Sequence, residues 1–449
     1  MLLKVTPTST IAGSMKVPSS KPETQRAIIA ASLCEGVSKV YNDLRCLETE
    51  TMKTACRSIG ATIEDKDGYL EITGVGRNLQ SNARVIDALG SGLVFRVLTA
   101  LTCFSPSASV ISGDKILCGR VMEPLFTALD ELGAKISCIT EPGKGPVANW
   151  GHPLQGGECT IQGNISSQFI TSVLLAAPMA AKPTKINITG EVLSISYIKQ
   201  TIDTMTQCGI KLDVADDFSS ITVYPGEYKA TDHHIVGDFT SASYLVAAAA
   251  MFKGTTVLEN MNSNSLQGER AIIEVVKALG VEVVFDDVND NITLINKFDQ
   301  IEGDFEFDAS DYPNIVPTLA AIGTYVKGTF RVIGGSITRL HKSPRIKAMV
   351  SELQTMGVDI TAILKDGDVY DGFEIKGAGS YEGDVELSSW GDHRIFMSLF
   401  VASLRCKNPN FLDGYNDVSC SFPGFFDEFS RAQVQFEEVE EMDDEAKRA

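Results

Sequence analysis

Apolar and polar positions recur along the chain in one pattern. A helical period of apolar residues, one Gly and a short alternating stretch appear at 52–63, and again at 125–136, 202–212, 272–283 and 349–360. The glycines are Gly60, Gly133, Gly209, Gly280 and Gly357, separated by 73, 76, 71 and 77 residues. A helix that ends on a left-handed residue uses Gly, which has no Cβ to clash, so each marks a helix C-terminus with a strand beyond it. One more step falls in Phe425–Arg431, a helical pattern without its Gly. Self-similarity at a nearly fixed period predicts a repeated supersecondary unit, here six copies of one α/β unit.

A second kind of helix lies between the copies. Ala27–Leu33, Ile170–Pro178, Leu245–Ala250 and Ile315–Ile322 are apolar all round, which predicts complete burial. The pattern changes phase near residue 237, with three units on either side. Residues 1–18 read as one strand and a turn, too short for a unit, and the last unit after 394 is also incomplete. The expected division is therefore 1–18 with 238–433 as one domain and 19–237 as an inserted one. The acidic stretch 434–449 reads as a disordered tail.

Composition narrows the function. The 449 residues are 44% hydrophobic and 22% charged, as in ordinary soluble globular proteins. A net charge of −19 argues against nucleic acid as a partner, although local basic clusters remain compatible with small anions. No apolar run approaches the roughly 18 residues of a membrane span. Ten cysteines with no Cys-x-x-Cys pair read as reduced core residues of a cytoplasmic protein. Nothing asks for a metal or an organic cofactor.

Candidate chemistry sits where the apolar helices begin. Lys21 and Arg26 open the first, with Ser19 or Ser20 as cap and Pro22 in its first turn. Asp87–Arg96 is a Gly-containing turn into a helix, and Arg120 lies in a turn before a repeat helix. Ser166, Ser167 and Gln168 precede a buried helix, where they suit an anion or simply cap the helix. Asp311 and Asn314 lie in a turn, as do His341, Lys342 and Arg345, while Asp392, His393 and Arg394 cluster at a helix start. Lys21, Arg26, Arg120, Arg345 and Arg394 occupy turns or helix starts of an acidic chain. If those ends converge, they make a pocket for phosphorylated or carboxylated small molecules.

Ser166–Phe169, Gly237–Tyr244, Leu266–Gly268, Asp392–Arg394 and Phe422–Pro423, in this order, resemble the enolpyruvyl transferase superfamily. The likeness runs to about residue 433. It implies a two-domain inside-out α/β barrel of six βαβαββ repeats, three per domain, with the active site in the cleft between the domains. It also implies a monomer without cofactor that moves the carboxyvinyl group of phosphoenolpyruvate to a hydroxyl. In the nearest branch that hydroxyl belongs to shikimate 3-phosphate, and the reaction passes through a tetrahedral intermediate with loss of phosphate. Lys21, Gly92, Arg120, Gln168, Arg345 and Arg394 match positions that hold phosphoenolpyruvate. Arg26, Ser166, Ser167, Gln168, Ser194 and Tyr197 match positions that hold the shikimate phosphate partner.

The departures fall on two loops and on the proton-transfer set. Gly90 and Leu93 stand where the family has Asn and Thr, and Pro22 where it has Ser. The acidic residue that serves the acceptor hydroxyl falls on Asn314. The family's Lys-Glu-Ser-Asp-Arg reads His341-Lys342-Ser343-Pro344-Arg345, and a late lysine falls on Cys420. The catalytic candidates are thus Lys21, Asp311, Asn314, His341, Lys342, Asp392 and His393, with Asp311, His341, Lys342 and Asp392 as replacements for the missing acid and base. Asn314→Asp, in a turn, is expected to leave folding intact. Three functions fit: the transferase itself, a paralogue acting on another phosphorylated or shikimate-like substrate, and a non-catalytic ligand-binding protein.

Overall fold

The computed structural model describes residues 1–440. They form two compact units, Met1–Pro18 with the chain from Gly237 onward, and Ser19–Val236. Each unit has its own hydrophobic core. Gly237 goes with the first unit, one residue earlier than the phase change suggests. A Cβ there would lie 1.9 Å from the Asn260 carbonyl oxygen, which only Gly permits.

Each unit carries three sheets, and all six follow one plan. Gly157–Gln162 runs parallel to Thr184–Thr189, which is antiparallel to Ser220–Val223, which is antiparallel to Leu212–Val214. In two sheets the first strand is split: Tyr228–Lys229 and His233–His234 both pair with Cys34–Tyr41, and Ile301–Glu302 and Phe305–Asp308 both pair with Val326–Ile333.

The amino-terminal segment holds two strands rather than one. Leu2–Val5 pairs with Asn410–Leu412, and Gly13–Lys16 runs parallel to Gly254–Glu259 in a different sheet. Of Gly13–Lys16 only Met15 is buried, so that strand has almost no hydrophobic signature. The acidic tail also begins later than its charge suggests. Phe436–Val439 is a strand antiparallel to Leu2–Val5, with Lys4 Nζ on Glu437 Oε1 at 2.7 Å. The rest of the expected tail, 441–449, lies outside the described residues.

Six helices, one per repeat, are buried nearly throughout: α1 (Lys21–Leu33), α2 (Gly92–Leu101), α3 (Ser167–Ala176), α4 (Phe239–Met251), α5 (Val316–Tyr325) and α6 (His393–Ser403). Every residue of α4 and α5 is buried. Small side chains and internally satisfied hydroxyls allow this, as where Ser243 Oγ meets Thr318 Oγ1 at 3.0 Å. The other helix of each repeat is amphipathic, and its ending recurs six times. Gly60, Gly133, Gly209, Gly280 and Gly357 have φ of 110°, 94°, 78°, 89° and 88°. Each donates its N–H to the carbonyl three residues back, and the next residue donates to the carbonyl five back. The sixth helix, Phe425–Arg431, ends the same way: Gln433, at φ 65°, donates to Ser430 O, and Val434 donates to Phe429 O. The turn is kept although its Gly is not.

Candidate functional site

In the 19–236 unit the candidates gather at the starts of α1, α2 and α3. Ser20 caps α1, and Lys21 Nζ pairs with Glu48 Oε1 at 2.8 Å. Gly92 opens α2 against three polar groups. A Cβ on it would lie 2.5 Å from Arg96 Nη1, 3.3 Å from Gln168 Oε1 and 3.6 Å from Arg120 Nη1. Arg96 Nη1 donates to Gln168 Oε1. Burial, then the like charge of Arg120, pulls the Arg96 guanidinium down to about 9, and its Nε has no hydrogen-bond acceptor among the described residues. Two guanidinium groups brought together beside Gly92 favour negative charge near them. An anion seated over Gly92 would supply it.

Ser166 does cap α3, accepting from Gln168 N at 3.3 Å, so the capping alternative holds for this residue, while Gln168 is turned to Arg96. Ser167 is buried in the first turn of the same helix. Ser194, at φ 58°, stands at the N-cap of Ile195–Gln207 in a left-handed conformation. Arg26 is held by other parts of its unit. It is 2% exposed, and its Nε, Nη1 and Nη2 donate to Thr201 Oγ1 at 2.9 Å, Pro22 O at 3.0 Å and Tyr197 O at 3.1 Å. Burial lowers its guanidinium to about 10, against the opposing charges of Tyr197 and Glu23. Nε and Nη2 tie α1 to the helix that carries Tyr197, and Nη1 closes back on α1 itself, so Arg26 holds the two helices in place.

In the other unit the candidates gather at the starts of α5, α6 and the helix Arg345–Thr355. Asp392 is fully buried and accepts from Arg345 Nε at 2.9 Å, Ser343 Oγ at 3.1 Å and the α6 backbone at Arg394 N at 3.0 Å. Burial alone would raise this carboxyl. The charges of Arg345 and His393 and the hydrogen bonds from Arg345 and Arg394 N outweigh burial and hold it well below the usual carboxylate range. A carboxylate so fixed does not exchange protons near neutrality, so Asp392 orients Arg345 instead of replacing a lost base. Arg345 Nη1 reaches Asn314 Oδ1 and His341 Nδ1, both at 2.9 Å. A guanidinium only donates, so His341 Nδ1 accepts and the ring proton of the neutral form sits on Nε2.

The remaining candidates separate. Lys342 pairs with Asp417 at 3.2 Å in an exposed position, and Asp311 is exposed on its turn. His393 is buried with Nδ1 3.7 Å from Asp392 Oδ1. Arg394 faces the buried Tyr244 hydroxyl, whose pKa burial raises and the charges of Arg394 and Arg345 oppose. Cys420 ends a short 3-10 turn, half-buried.

Two residues escape the sequence reading. Arg96 lies one helical turn after Gly92, so its i+4 spacing on the same face was the available signal. Glu269 is 1% exposed and accepts from Asn314 Nδ2 at 3.0 Å. It had no local signal, since 45 residues separate the two. It also bears on Asn314→Asp, which would set a second carboxylate beside a buried one. Among the described residues no helix is long and apolar enough to cross a membrane.

Repeated sheets and buried helices, with arginines and a lysine at the helix starts, define an enolpyruvyl-transferase-type architecture. Solved structures agree: an EPSP synthase from Acinetobacter baumannii matches with a TM-score of 0.82 and 25% identity over 97% of this chain and 99% of that one. The chain belongs to the EPSP synthase (3-phosphoshikimate 1-carboxyvinyltransferase) family, whose model matches residues 5–429. The 3-phosphoshikimate 1-carboxyvinyltransferase of Methanocaldococcus jannaschii is 33% identical over 95% of this chain and 97% of its own length. That of Methanosphaera stadtmanae is 32% identical over 95% and 98%.

Proposed function

We propose that the chain catalyses transfer of the carboxyvinyl group of phosphoenolpyruvate to a hydroxyl of shikimate 3-phosphate. The family match over residues 5–429 carries the reading, and the Gly92, Arg96, Arg120 and Gln168 cluster is the observation that gives it chemistry. The acceptor hydroxyl gives up its proton as its oxygen adds to C2 of the vinyl group, and C3 takes a proton. Phosphate then leaves C2 with its electron pair and C3 returns a proton, which restores the double bond. Arg96, Arg120 and Lys21 are fitted to phosphate and carboxylate oxygens, which repay their desolvation with charge-assisted hydrogen bonds. Ser166, Ser167, Ser194 and Tyr197 are assigned to the phosphorylated acceptor, with Arg26 holding their helices in place. Arg345 and Arg394 supply further positive charge, and His341, with its Nδ1 committed to Arg345, is the proton-carrying group. Ten free cysteines suit a reducing compartment, the cytoplasm.

Phosphate release from purified protein with phosphoenolpyruvate and shikimate 3-phosphate, each alone as control, tests this. Release that needs both is the expected result. The engagement of Lys342 by Asp417 and the amide at 314 favour a second reading, a paralogue with another acceptor. Binding of shikimate 3-phosphate without phosphate release would select it.

A further inference from the structure

Glu269 lies on the turn Gly268–Arg270, shut off from solvent, and a carboxylate in that setting persists only with partners. Asn314 Nδ2 donates to it at 3.0 Å. The other end of the same amide accepts from Arg345 Nη1 at 2.9 Å, and Arg345 Nε reaches Asp392 at 2.9 Å. Four side chains from four elements therefore form one line of carboxylate, amide, guanidinium and carboxylate. The carboxamide offers Glu269 a donor and Arg345 an acceptor at once, which neither an aspartate nor an aliphatic side chain does. An amide at 314 suits a carboxylate at 269. The negative charge that the resemblance expects at 314 sits one side chain further along the line.

We propose that Glu269 is a positioning residue for the transfer: it fixes the Asn314 amide, and through it the Arg345 guanidinium, in the orientation the substrate needs. Residues 269 and 314 act as one carboxylate–amide pair whose members are exchangeable. The inference rests on the transferase reading above.

The test compares wild type, Glu269→Gln, Asn314→Asp and the double variant, by phosphate-release kinetics with phosphoenolpyruvate and shikimate 3-phosphate and by urea unfolding. Glu269→Gln keeps the shape and removes the charge. Its kcat should fall on the order of 10- to 100-fold while KM for phosphoenolpyruvate moves less than about threefold. Asn314→Asp apposes two carboxylates and should fall at least as far. The double variant restores one amide and one carboxylate with reversed polarity, and should return to within about tenfold of wild type. Singles that only lower the unfolding midpoint and leave kcat alone would overturn the proposal. So would a double variant no better than the product of its singles. A wild type that releases no phosphate overturns the transferase reading instead, and the unfolding midpoints then decide the pairing: recovery in the double variant supports it and absence of recovery refutes it.

Discussion

Asp392→Asn changes one oxygen to nitrogen and should be among the most damaging isosteric substitutions in its unit. The side chain is 0% exposed and takes hydrogen bonds from Arg345 Nε at 2.9 Å, Ser343 Oγ at 3.1 Å and Arg394 N at 3.0 Å. Asn caps helices as well as Asp, so losing the acid at the start of α6 costs little by itself. The loss comes from Arg345, which is 4% exposed and would be left with no carboxylate on Nε and an amide donor pointed at its own donors. Breaking a buried pair from one side costs about 3–5 kcal/mol, a large share of the 5–15 kcal/mol that holds a typical domain together.

The sign with pH is fixed by the depressed Asp392 carboxyl. Its contribution is complete above the unfolded value of about 3.9 and is lost as pH falls toward the folded value. The gap between wild type and variant should therefore be constant from pH 7 to 5 and shrink below about pH 4. Each unit holds one tryptophan, Trp150 in the insert and Trp390 in the other, where its Nε1 donates to Glu352 at 2.8 Å. In a Trp150→Phe background, fluorescence in urea reads the unit that contains Asp392. A loss under about 1 kcal/mol at pH 7, or a gap that stays constant down to pH 3.5, would refute the buried-pair account.

Three further outcomes follow from single contacts. Gly92→Ala places a methyl 2.5 Å from Arg96 Nη1. The guanidinium end yields more easily than backbone, so kcat/KM for phosphoenolpyruvate should fall about 5- to 150-fold while the unfolding midpoint holds, since Ala favours the helix. An unchanged kcat/KM would remove Gly92 from the anion cradle. Arg26→Lys offers one nitrogen where three acceptors wait, and should cost the insert about 2–4 kcal/mol in unfolding followed through Trp150. A change within 0.5 kcal/mol, roughly the scatter of surface substitutions, would show that these bonds are dispensable. Gln433→Gly relieves a left-handed residue at φ 65° and should stabilise its unit by about 1 kcal/mol, read as a raised urea midpoint.

Gln433 also shows why the repeat was legible and where legibility stopped. Five glycines announced five helix ends, because the left-handed turn leaves a mark in residue type. The sixth turn is held by the same two backbone hydrogen bonds, and backbone hydrogen bonds leave no mark. The buried helices were equally plain, since a helix enclosed on all sides must be apolar all round. Short strands were not: Gly13–Lys16 pairs through its backbone and buries only Met15. The site divides on the same line. Candidates at helix starts were visible because capping and dipole chemistry are local, whereas the role of each was set by partners far away in the chain. Arg26 read as an anion ligand at a helix start, and its links to Thr201 and Tyr197, more than 170 residues on, had no local signal. Asn314 read as a lost acid until Glu269 stood beside it. A charge missing at one position of a buried network is thus a statement about the network. Substitutions that look like decay one residue at a time become, once the partners are placed, the same donor and acceptor count carried by different side chains.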